Sequence, residues 1–250
     1  MMAGADRQRL DTVLVERRQA ASRARARDAI RRGCVRVNGA VVIKPATLVD
    51  DASDIAVDDP AGGYVSRAAL KLIAGLDHFG FEVKDRNALD LGASTGGFTQ
   101  VLLERGAAHV HAVDVGHDQF HETLANEQRI SLMERINARD LTGSMLDRPI
   151  NAIVCDVSFI SLKLALPPAL DLCAPGAWGI FLIKPQFEVG RDHVGKDGVV
   201  RDEELLDSVR DDFGSWLNGR SGWRVIGTHA SPIAGGDGNT EFLLGAQRDE

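Results

Sequence analysis

Residues 87–99 read Asn-Ala-Leu-Asp-Leu-Gly-Ala-Ser-Thr-Gly-Gly-Phe-Thr, and this stretch decides the fold class. It predicts a short apolar strand with acidic Asp90 near its end, then a glycine loop and a helix. A second apolar strand ends at Asp114, where a carboxylate can hold two ribose hydroxyls. The loop lacks the full G-x-G-x-x-G that a dinucleotide pyrophosphate favours. The pattern therefore predicts a nucleoside cofactor without phosphates, S-adenosylmethionine.

The same loop allows a second interpretation. Residues 92–96 fit G-x-S-x-G, the nucleophile elbow of hydrolases, which also lies between a strand and a helix. That interpretation needs a downstream histidine, and His193 and His229 are available. Because it gives no role to Asp90 or Asp114, we favour the cofactor loop.

Composition places the chain among soluble globular proteins. It has 250 residues, of which 44% are hydrophobic and 26% charged. No apolar run approaches the roughly 18 residues of a membrane span, and the charged N-terminus does not resemble a secretory signal. The cysteines, Cys34, Cys155 and Cys173, are odd in number and widely spaced, which indicates neither a disulfide framework nor a zinc site. We therefore expect a cytoplasmic protein.

The formal net charge of −7 hides a basic segment. Residues 7–44 carry ten arginines and one lysine against only three acidic residues. A compact basic module on an acidic chain predicts a polyanionic partner.

The basic segment has the pattern of two helices and a hairpin. Apolar residues at helical spacing in 10–14 predict a first helix, and Ser22 can cap a second that runs to Arg32, with Gly33 as its stop. Two short apolar runs flank Asn-Gly within residues 35–43, which predicts a type I′ hairpin.

This arrangement, with residues 22–26 (Ser-Arg-Ala-Arg-Ala) and 35–39 (Val-Arg-Val-Asn-Gly), resembles an S4 RNA-binding domain over about residues 7–58. The arginines could form only a solvated helix face, but guanidinium groups suit phosphate contact and base stacking. We therefore predict RNA binding, mainly through phosphates and shape. The predicted RNA-binding residues are Arg9, Arg23, Arg25, Arg27, Arg31, Arg36, Lys44 and Arg67.

Residues 59–65 form a linker by composition, and 66–250 show alternating strands and helices. Ser66 is the expected cap of a helix that extends to Phe79. The pattern predicts an α/β fold, a class I (Rossmann-like) domain with a mostly parallel seven-stranded sheet. Because no helix separates the last two strands, one of them should be antiparallel. The predicted strands are 87–91, 109–115, 130–136, 151–157, 178–187, 223–231 and 239–247.

Charged residues lie at or near the ends of three predicted strands, namely Asp156, Lys184 and Glu241. Ligands of open α/β sheets bind beyond the carboxyl ends of the strands, so these charges should face the crevice of the glycine loop. Buried charges are rarely unpaired, and Lys71 on the preceding helix can complete the set.

In order and context these four residues are similar to the K-D-K-E tetrad of FtsJ-like RNA 2′-O-methyltransferases. With the S4-like segment and with residues 64–72, 155–162 and 184–188, the chain resembles the TlyA family, also labelled hemolysin. The resemblance implies methylation of cytidine 2′-hydroxyls in the RNA of both ribosomal subunits, with S-adenosylmethionine as donor. A Trp-bearing tetrapeptide associated with some members is absent before Ser66.

The chemistry needs a proton acceptor, because a ribose hydroxyl is a poor nucleophile. An amine at the ordinary lysine pKa of about 10.4 is protonated at neutral pH, and burial or a nearby cation favours its neutral form. Our hypothesis makes Lys184 the acceptor and Lys71 the group that steers the hydroxyl or phosphate. Asp156 and Glu241 would orient the two amines. The alternative is a buried ion-pair cluster that only stiffens the sheet edge.

The cofactor site follows in chain order. The glycine loop should hold the methionine part, Asp114 the ribose, and Asp140 the adenine amino group, although Asp140 could instead cap a helix. His109 and His111, like His117 and His121, have spacing found in metal sites, but no third ligand is evident, so no metal is predicted. The predicted cofactor-binding residues are Asp90, Gly92, Ala93, Ser94, Gly96, Gly97, Phe98, Asp114, Val115 and Asp140.

Two other functions compete with the methyltransferase. One is a ribosome-assembly factor that binds RNA without catalysis, and the other a membrane-lytic protein, as the hemolysin label suggests. An intact tetrad and cofactor loop disfavour the first, and the lack of an extended amphipathic apolar segment disfavours the second. Residues 190–198 form a glycine-rich charged loop that is either a substrate lid or a plain connection.

Overall fold

The computed structural model describes residues 7–250, with only the backbone of Arg191. The chain divides into two compact units, the first ending at Gly63 and the second spanning Tyr64–Glu250. Among the described residues, no helix combines the length and apolar character needed to cross a membrane.

The first unit contains the two predicted helices and the predicted hairpin. Ser22 Oγ accepts a hydrogen bond from the backbone N–H of Arg25, and Gly33 adopts φ +77°, so both predicted helix boundaries are confirmed. The first strand of the hairpin pairs on one side with the second hairpin strand and on the other with a third strand, residues 55–57, which the sequence pattern did not predict. The elements are β1 (Gln8–Arg9), α1 (Leu10–Glu16), α2 (Arg23–Arg31), β2 (Val35–Val37), β3 (Ala40–Val41), β4 (Leu48–Val49) and β5 (Ile55–Val57).

The small core of this unit explains why its helices form. Leu10, Leu14 and Ile30 are fully buried, and they bring the apolar faces of α1 and α2 together. β1 and β4 form a separate two-stranded antiparallel sheet. Strands of two residues carry too little periodicity to be predicted, which is why β1 and β4 were missed.

The second unit is a seven-stranded sheet in the order β11-β12-β10-β9-β6-β7-β8. The strands from β6 to β10 run parallel, and β12 lies antiparallel between β10 and β11, which confirms the predicted mostly parallel α/β fold. The strands are β6 (Asn87–Leu91), β7 (His109–Val113), β8 (Ile130–Met133), β9 (Ile150–Cys155), β10 (Cys173–Ile183), β11 (Trp223–Ala230) and β12 (Phe242–Arg248). The helices are α3 (Ala69–Phe79), α4 (Gly97–Glu104), α5 (Glu122–Ala125), α6 (Leu162–Ala165), α7 (Pro167–Leu172), α8 (Pro185–Glu188) and α9 (Glu203–Asn218).

Two apolar layers cover the sheet, one on each face. Successive residues of a strand point to opposite faces, so β10 contributes Ile180 to the layer under α3 and α4 and Phe181 to the layer under α9. Phe181 and Phe213 are almost completely buried in the second layer. A central strand apolar on both faces is typical of parallel sheets.

Several predicted boundaries were wrong. Ser66 does not cap α3, which begins at Ala69; its hydroxyl accepts from the N–H of Ala68 in the preceding turn. β10 ends at Ile183 and not at 187, because Pro185 lacks an N–H and begins α8. β12 begins at Phe242, so Glu241 lies just before the strand.

Candidate active site

Two lysine–carboxylate pairs lie at the edge of the sheet where the parallel strands end. Lys71 Nζ is 2.5 Å from Glu241 Oε2, and Lys184 Nζ is 2.6 Å from Asp156 Oδ1. Asp156 follows β9 and Lys184 follows β10, whereas Glu241 precedes the antiparallel strand β12. Because Ile183 pairs with Phe242, the start of β12 lies beside the end of β10. The structure thus brings the four sequence-predicted charges to one edge.

These charges are withdrawn from water but remain paired. Lys71 and Glu241 are 6% and 3% exposed, and Lys184 is 9% exposed. Lys184 Nζ also donates to Ser158 Oγ at 2.8 Å. Buried ions need partners with good geometry, so this network holds both amines in defined positions.

Three neighbouring cavities meet at these residues. The large cavity, of about 620 Å³, extends from the glycine loop along the ends of β7 and β9. The small cavity, of about 190 Å³, lies between the loop and Lys184, and an outer cavity of about 430 Å³ contains both ion pairs. Asp156 and Ser158 line all three, and Lys184 lines the small and outer cavities. A group bound in the small cavity would therefore lie beside Lys184.

The glycine loop approaches the β9 end so closely that a side chain would collide. Gly92 adopts φ +81°, and a Cβ there would lie 2.8 Å from the carbonyl oxygen of Asp156. Glycine is the residue that tolerates both conditions. Of the predicted loop residues, Gly92, Ala93, Ser94, Gly97 and Phe98 line the small cavity. Gly96 instead packs against Phe120 and Leu124.

Asp114 lies on the wall of the large cavity with its carboxylate held by backbone donors. Its Oδ2 accepts from the N–H of Ser94 at 2.8 Å, and its Oδ1 accepts from the N–H of Gly116 at 2.7 Å. Each oxygen keeps a second lone pair for a ligand hydroxyl. Val115 lines the same cavity and is 69% exposed.

The residues that line the far end of the large cavity differ from those that the sequence predicted. Asn137 and Arg139, which the sequence analysis did not select, line it, whereas Asp140 is exposed and is not a lining residue. The cap of the short helical turn at residues 138–140 is Asn137, whose Oδ1 accepts from the N–H of Arg139. The helix cap suggested as an alternative for Asp140 is thus wrong, whereas its contact with the adenine stays a prediction.

Asp90 lies beneath the loop and not on a cavity wall. It is completely buried, Thr99 Oγ1 donates to its Oδ2 at 2.6 Å, and its Oδ1 has no hydrogen-bond partner in the described part of the chain. Burial raises the pKa of this carboxyl to about 7, although the Thr99 bond opposes the shift. An unpaired buried oxygen under a ligand loop fits a site completed by a bound group.

Several residues of the outer cavity were not selected from the sequence. Phe159 is 91% exposed at φ +66°, and its ring lies 5.2 Å from that of Phe187. Oε1 of Gln186, a further lining residue, is buried and accepts no hydrogen bond from any described group. An exposed and a half-buried aromatic ring beside an unpaired acceptor suit a flat polar ligand such as a nucleobase. Phe159, Gln186 and Phe187 lie within the two segments that resemble the family, 155–162 and 184–188, but a sequence resemblance does not show which side chains are exposed.

The loop after α8 borders the same cavity through Val194 and Gly198. The side chain of Asn239, which is fully buried, holds this loop in place through two hydrogen bonds. Its Oδ1 accepts from the N–H of Val200 at 3.0 Å, and its Nδ2 donates to the carbonyl of Gly198 at 2.8 Å. This loop therefore packs as part of the cavity wall.

The hydrolase interpretation gains no geometric support. Ser94 Oγ contacts Gln119 Oε1 at 3.3 Å, and no histidine bonds it within residues 7–250. His229 lies on the edge strand β11, and its ring stacks on that of His78 at a centroid distance of 4.1 Å. A nucleophile elbow requires a base within hydrogen-bond reach of the serine.

The predicted RNA-binding residues of the first unit divide into two groups. Arg9 and Arg23 bind the fully buried Asp11, whose pKa they lower, and Arg25 donates to the carbonyl of Ala61 at 2.6 Å. Arg27 and Arg31, one turn apart on α2, are exposed. Arg36, which donates to the Gly39 carbonyl, and Lys44 are exposed as well, whereas Arg67 of the second unit is half-buried.

Comparisons with known proteins agree with this geometry. The family model of the FtsJ-like methyltransferases matches residues 64–248, and that of the S4 domain matches residues 8–55. The "16S/23S rRNA (cytidine-2′-O)-methyltransferase TlyA" of Mycobacterium tuberculosis is 43% identical over 242 residues, 96% of this chain and 90% of the relative. "Hemolysin A" of Brachyspira hyodysenteriae is 39% identical over 236 residues, 94% of this chain and 98% of the relative.

A solved structure from Streptococcus thermophilus, whose title names a hemolysin, superposes with a TM-score of 0.75 at 35% identity. The match covers 99% of this chain and 90% of that one. The resemblance drawn from the sequence is thereby confirmed over both units. The chain belongs to the TlyA family of FtsJ-like methyltransferases that carry an N-terminal S4 domain.

Proposed function

We propose that this protein transfers a methyl group from S-adenosylmethionine to the 2′-oxygen of a cytidine in ribosomal RNA. The observation that carries the proposal is the position of Lys184, whose paired amine lines both the small cavity behind the glycine loop and the outer cavity. An acceptor amine between a donor pocket and a substrate pocket is what methyl transfer to a hydroxyl requires. With a ribosomal substrate, the protein would act in the cytoplasm.

The large and the small cavity suit the cofactor by size and by chemistry. The carboxylate of Asp114 can accept from two ribose hydroxyls, and the apolar side chain of Val115 offers a surface for the adenine. The small cavity, lined by the loop and by Ser66, would take the methionine part. When bound, S-adenosylmethionine supplies an electrophilic methyl group on a sulfonium.

Lys184 would accept the proton of the ribose 2′-hydroxyl, and its partners would stabilise the resulting ammonium. In its neutral form the Lys184 amine would accept the hydroxyl proton while the hydroxyl oxygen takes up the methyl group. Asp156, 2.6 Å away, stabilises the ammonium that results, and Ser158 fixes the direction of the amine. Lys71, held by Glu241 on the wall of the outer cavity, offers a cation to the substrate phosphate or hydroxyl.

The outer cavity would hold the target nucleotide. A base turned out of its helix can stack on Phe159 and Phe187, and Gln186 Oε1 can accept from an exocyclic amine, which cytosine has. The exposed arginines of α2 would contact RNA phosphates and raise affinity without reading sequence.

The test is methyl transfer from labelled S-adenosylmethionine to purified unmodified ribosomal subunits, followed by nuclease digestion and identification of the labelled nucleoside. We expect 2′-O-methylcytidine. Lys184→Ala should lower kcat by about 10²–10⁴-fold, the usual contribution of a general base, while cofactor affinity changes little.

Lys163→Ala is the matched control, because Lys163 forms an ion pair with Asp212 and lines none of the three cavities. It should leave kcat unchanged. A methylated base in place of a methylated ribose would refute the proposal. Normal cofactor binding without transfer to either subunit would favour the assembly-factor alternative.

A further inference from the structure

Two histidines project from the same face of β7, at the amino end of the sheet opposite the catalytic edge. His109 is the first residue of β7 and His111 is two positions later, so their side chains share a face. Their ring centroids are 4.8 Å apart. Both are buried, at 5% and 1% exposure.

His111 is the unusual member of this pair. Within the described part of the protein its Nδ1 has no partner, and its Nε2 has only a 3.3 Å contact with Asp147 that lacks hydrogen-bond geometry. A buried polar group without a partner costs about 1–3 kcal/mol, so such groups are rare without a reason. His109 is held differently, with Nε2 at 2.9 Å from Ser131 Oγ on β8, which leaves Nδ1 as its remaining nitrogen.

The tertiary structure supplies a third ligand that the sequence did not indicate. Asp147 lies in the turn before β9, and its Oδ1 is 3.3 Å from His111 Nε2. One ligand atom each of His109, His111 and Asp147 lies within 4.8 Å of the others. The expectation that no third ligand is near His109 and His111 was therefore wrong.

We propose that His109, His111 and Asp147 bind a zinc ion, with water as the fourth ligand. Two imidazoles and one carboxylate are a donor set that Zn²⁺ accepts, and a closure of up to about 1.4 Å brings the ligand atoms to the spacing of a tetrahedral site. The Asp147 side chain is 63% exposed, so it can move and the site can exchange with solvent.

Protonation and neighbouring charge are compatible with the ion. Burial lowers the pKa of both histidines, which favours the neutral ring that can ligate a metal. Arg148 is the nearby cation, with Nε 3.7 Å from Asp147 Oδ1, and this exposed contact is weak enough for a metal to displace.

The ion would connect β7 to the turn that leads into β9, two strands separated in the sheet by β6. It would thus brace the amino end of the sheet and contribute to folding stability instead of to the transfer reaction. The proposal does not rest on the proposed function, and either can fail without the other.

The experiment uses full-length protein without a histidine tag, freed of metal by chelation and titrated with Zn²⁺ and with Co²⁺. We expect one ion per chain, the visible absorption of four-coordinate Co²⁺, and a rise in Tm on adding Zn²⁺. Asp147→Asn should weaken binding at least 10-fold and remove most of the Tm rise.

Asp171→Asn is the matched control, because Asp171 is also an exposed aspartate paired with an arginine, Arg220. It should bind as the wild type does. His111→Gln tests the buried ligand, and its circular dichroism without metal shows whether it folds. Zero stoichiometry in the wild type, or Co²⁺ absorption unchanged by Asp147→Asn, would overturn the proposal.

Discussion

The charged residues at the sheet edge and the arginines of the first unit use charge in opposite ways. At the edge, Lys71 and Lys184 are buried and each is neutralised by one carboxylate at 2.5–2.6 Å. On α2, Arg27 and Arg31 remain exposed to solvent. Pairing in a buried site fixes positions within fractions of an ångström, whereas exposed charge acts at a distance and is screened by salt. The first arrangement suits bond chemistry and the second suits capture of a polyanion.

The sharpest test of this contrast removes one partner of a buried pair. Lys71→Ala leaves Glu241 buried without its cation and should lower the free energy of unfolding by about 3–5 kcal/mol. Urea denaturation measures the change. Lys163→Ala breaks an exposed pair and should cost about 0–1 kcal/mol. Equal costs for the two variants would show that burial does not distinguish these pairs.

Asp90, a buried carboxyl group without a paired cation, should make the free energy of unfolding depend on pH. The folded-state pKa of Asp90 lies near 7, above its unfolded value of 3.8, so the folded protein holds an extra proton between these values. The stability from Asp90 is thus fully present below pH 4 and is lost as pH rises through 7, by about 4 kcal/mol.

Asp90→Asn should remove that part of the pH dependence in urea denaturation between pH 4 and 8. Asp77→Asn, an exposed aspartate paired with Arg105, should keep the wild-type slope. The same slope in wild type and Asp90→Asn would mean that the carboxyl titrates normally.

The aromatic residues of the outer cavity should contribute an intermediate effect. Phe159→Ala removes an exposed ring beside Lys184, and we expect a loss of about 1–3 kcal/mol in RNA binding, the range for one stacked base. The loss should appear in KM for RNA, with cofactor affinity unchanged. Phe159→Tyr keeps the ring at the same backbone conformation and should restore most of the affinity. No rescue by tyrosine would contradict stacking.

The smallest effect per residue is expected for the exposed arginines. The double variant Arg27→Ala/Arg31→Ala should reduce the slope of log affinity against log salt by about 1–2, as expected for two lost phosphate contacts. At saturating RNA, kcat should be unchanged. Binding assays at several salt concentrations measure the slope. Arg220→Ala, in the second unit, is the control, and an equal change there would mean that the α2 face has no special role.

The sequence predicts a feature well where neighbouring residues specify it, and poorly where contacts between distant parts of the chain specify it. β6 was predicted residue for residue, because its apolar run is bounded by a glycine loop. The end of β10 was misplaced, although Pro185 marked it. Local patterns predict that Asp114 and Gly92 line the large cavity, but they do not predict that Asn137 lines it and Asp140 does not. That difference depends on how the turn at residues 138–140 faces the cavity.

The sequence by itself determined the order of strands and helices, the basic character of the first unit, and the residue types available for methyl transfer. Periodicity, turn residues and motifs are local, so they can be recognised in a linear chain. Only the tertiary structure decided the partners: which lysine meets which carboxylate, that Phe159 is exposed beside the site, and that Asp147 lies against His111. These contacts join residues far apart in the chain, and packing of the sheet, which no local pattern specifies, brings them together.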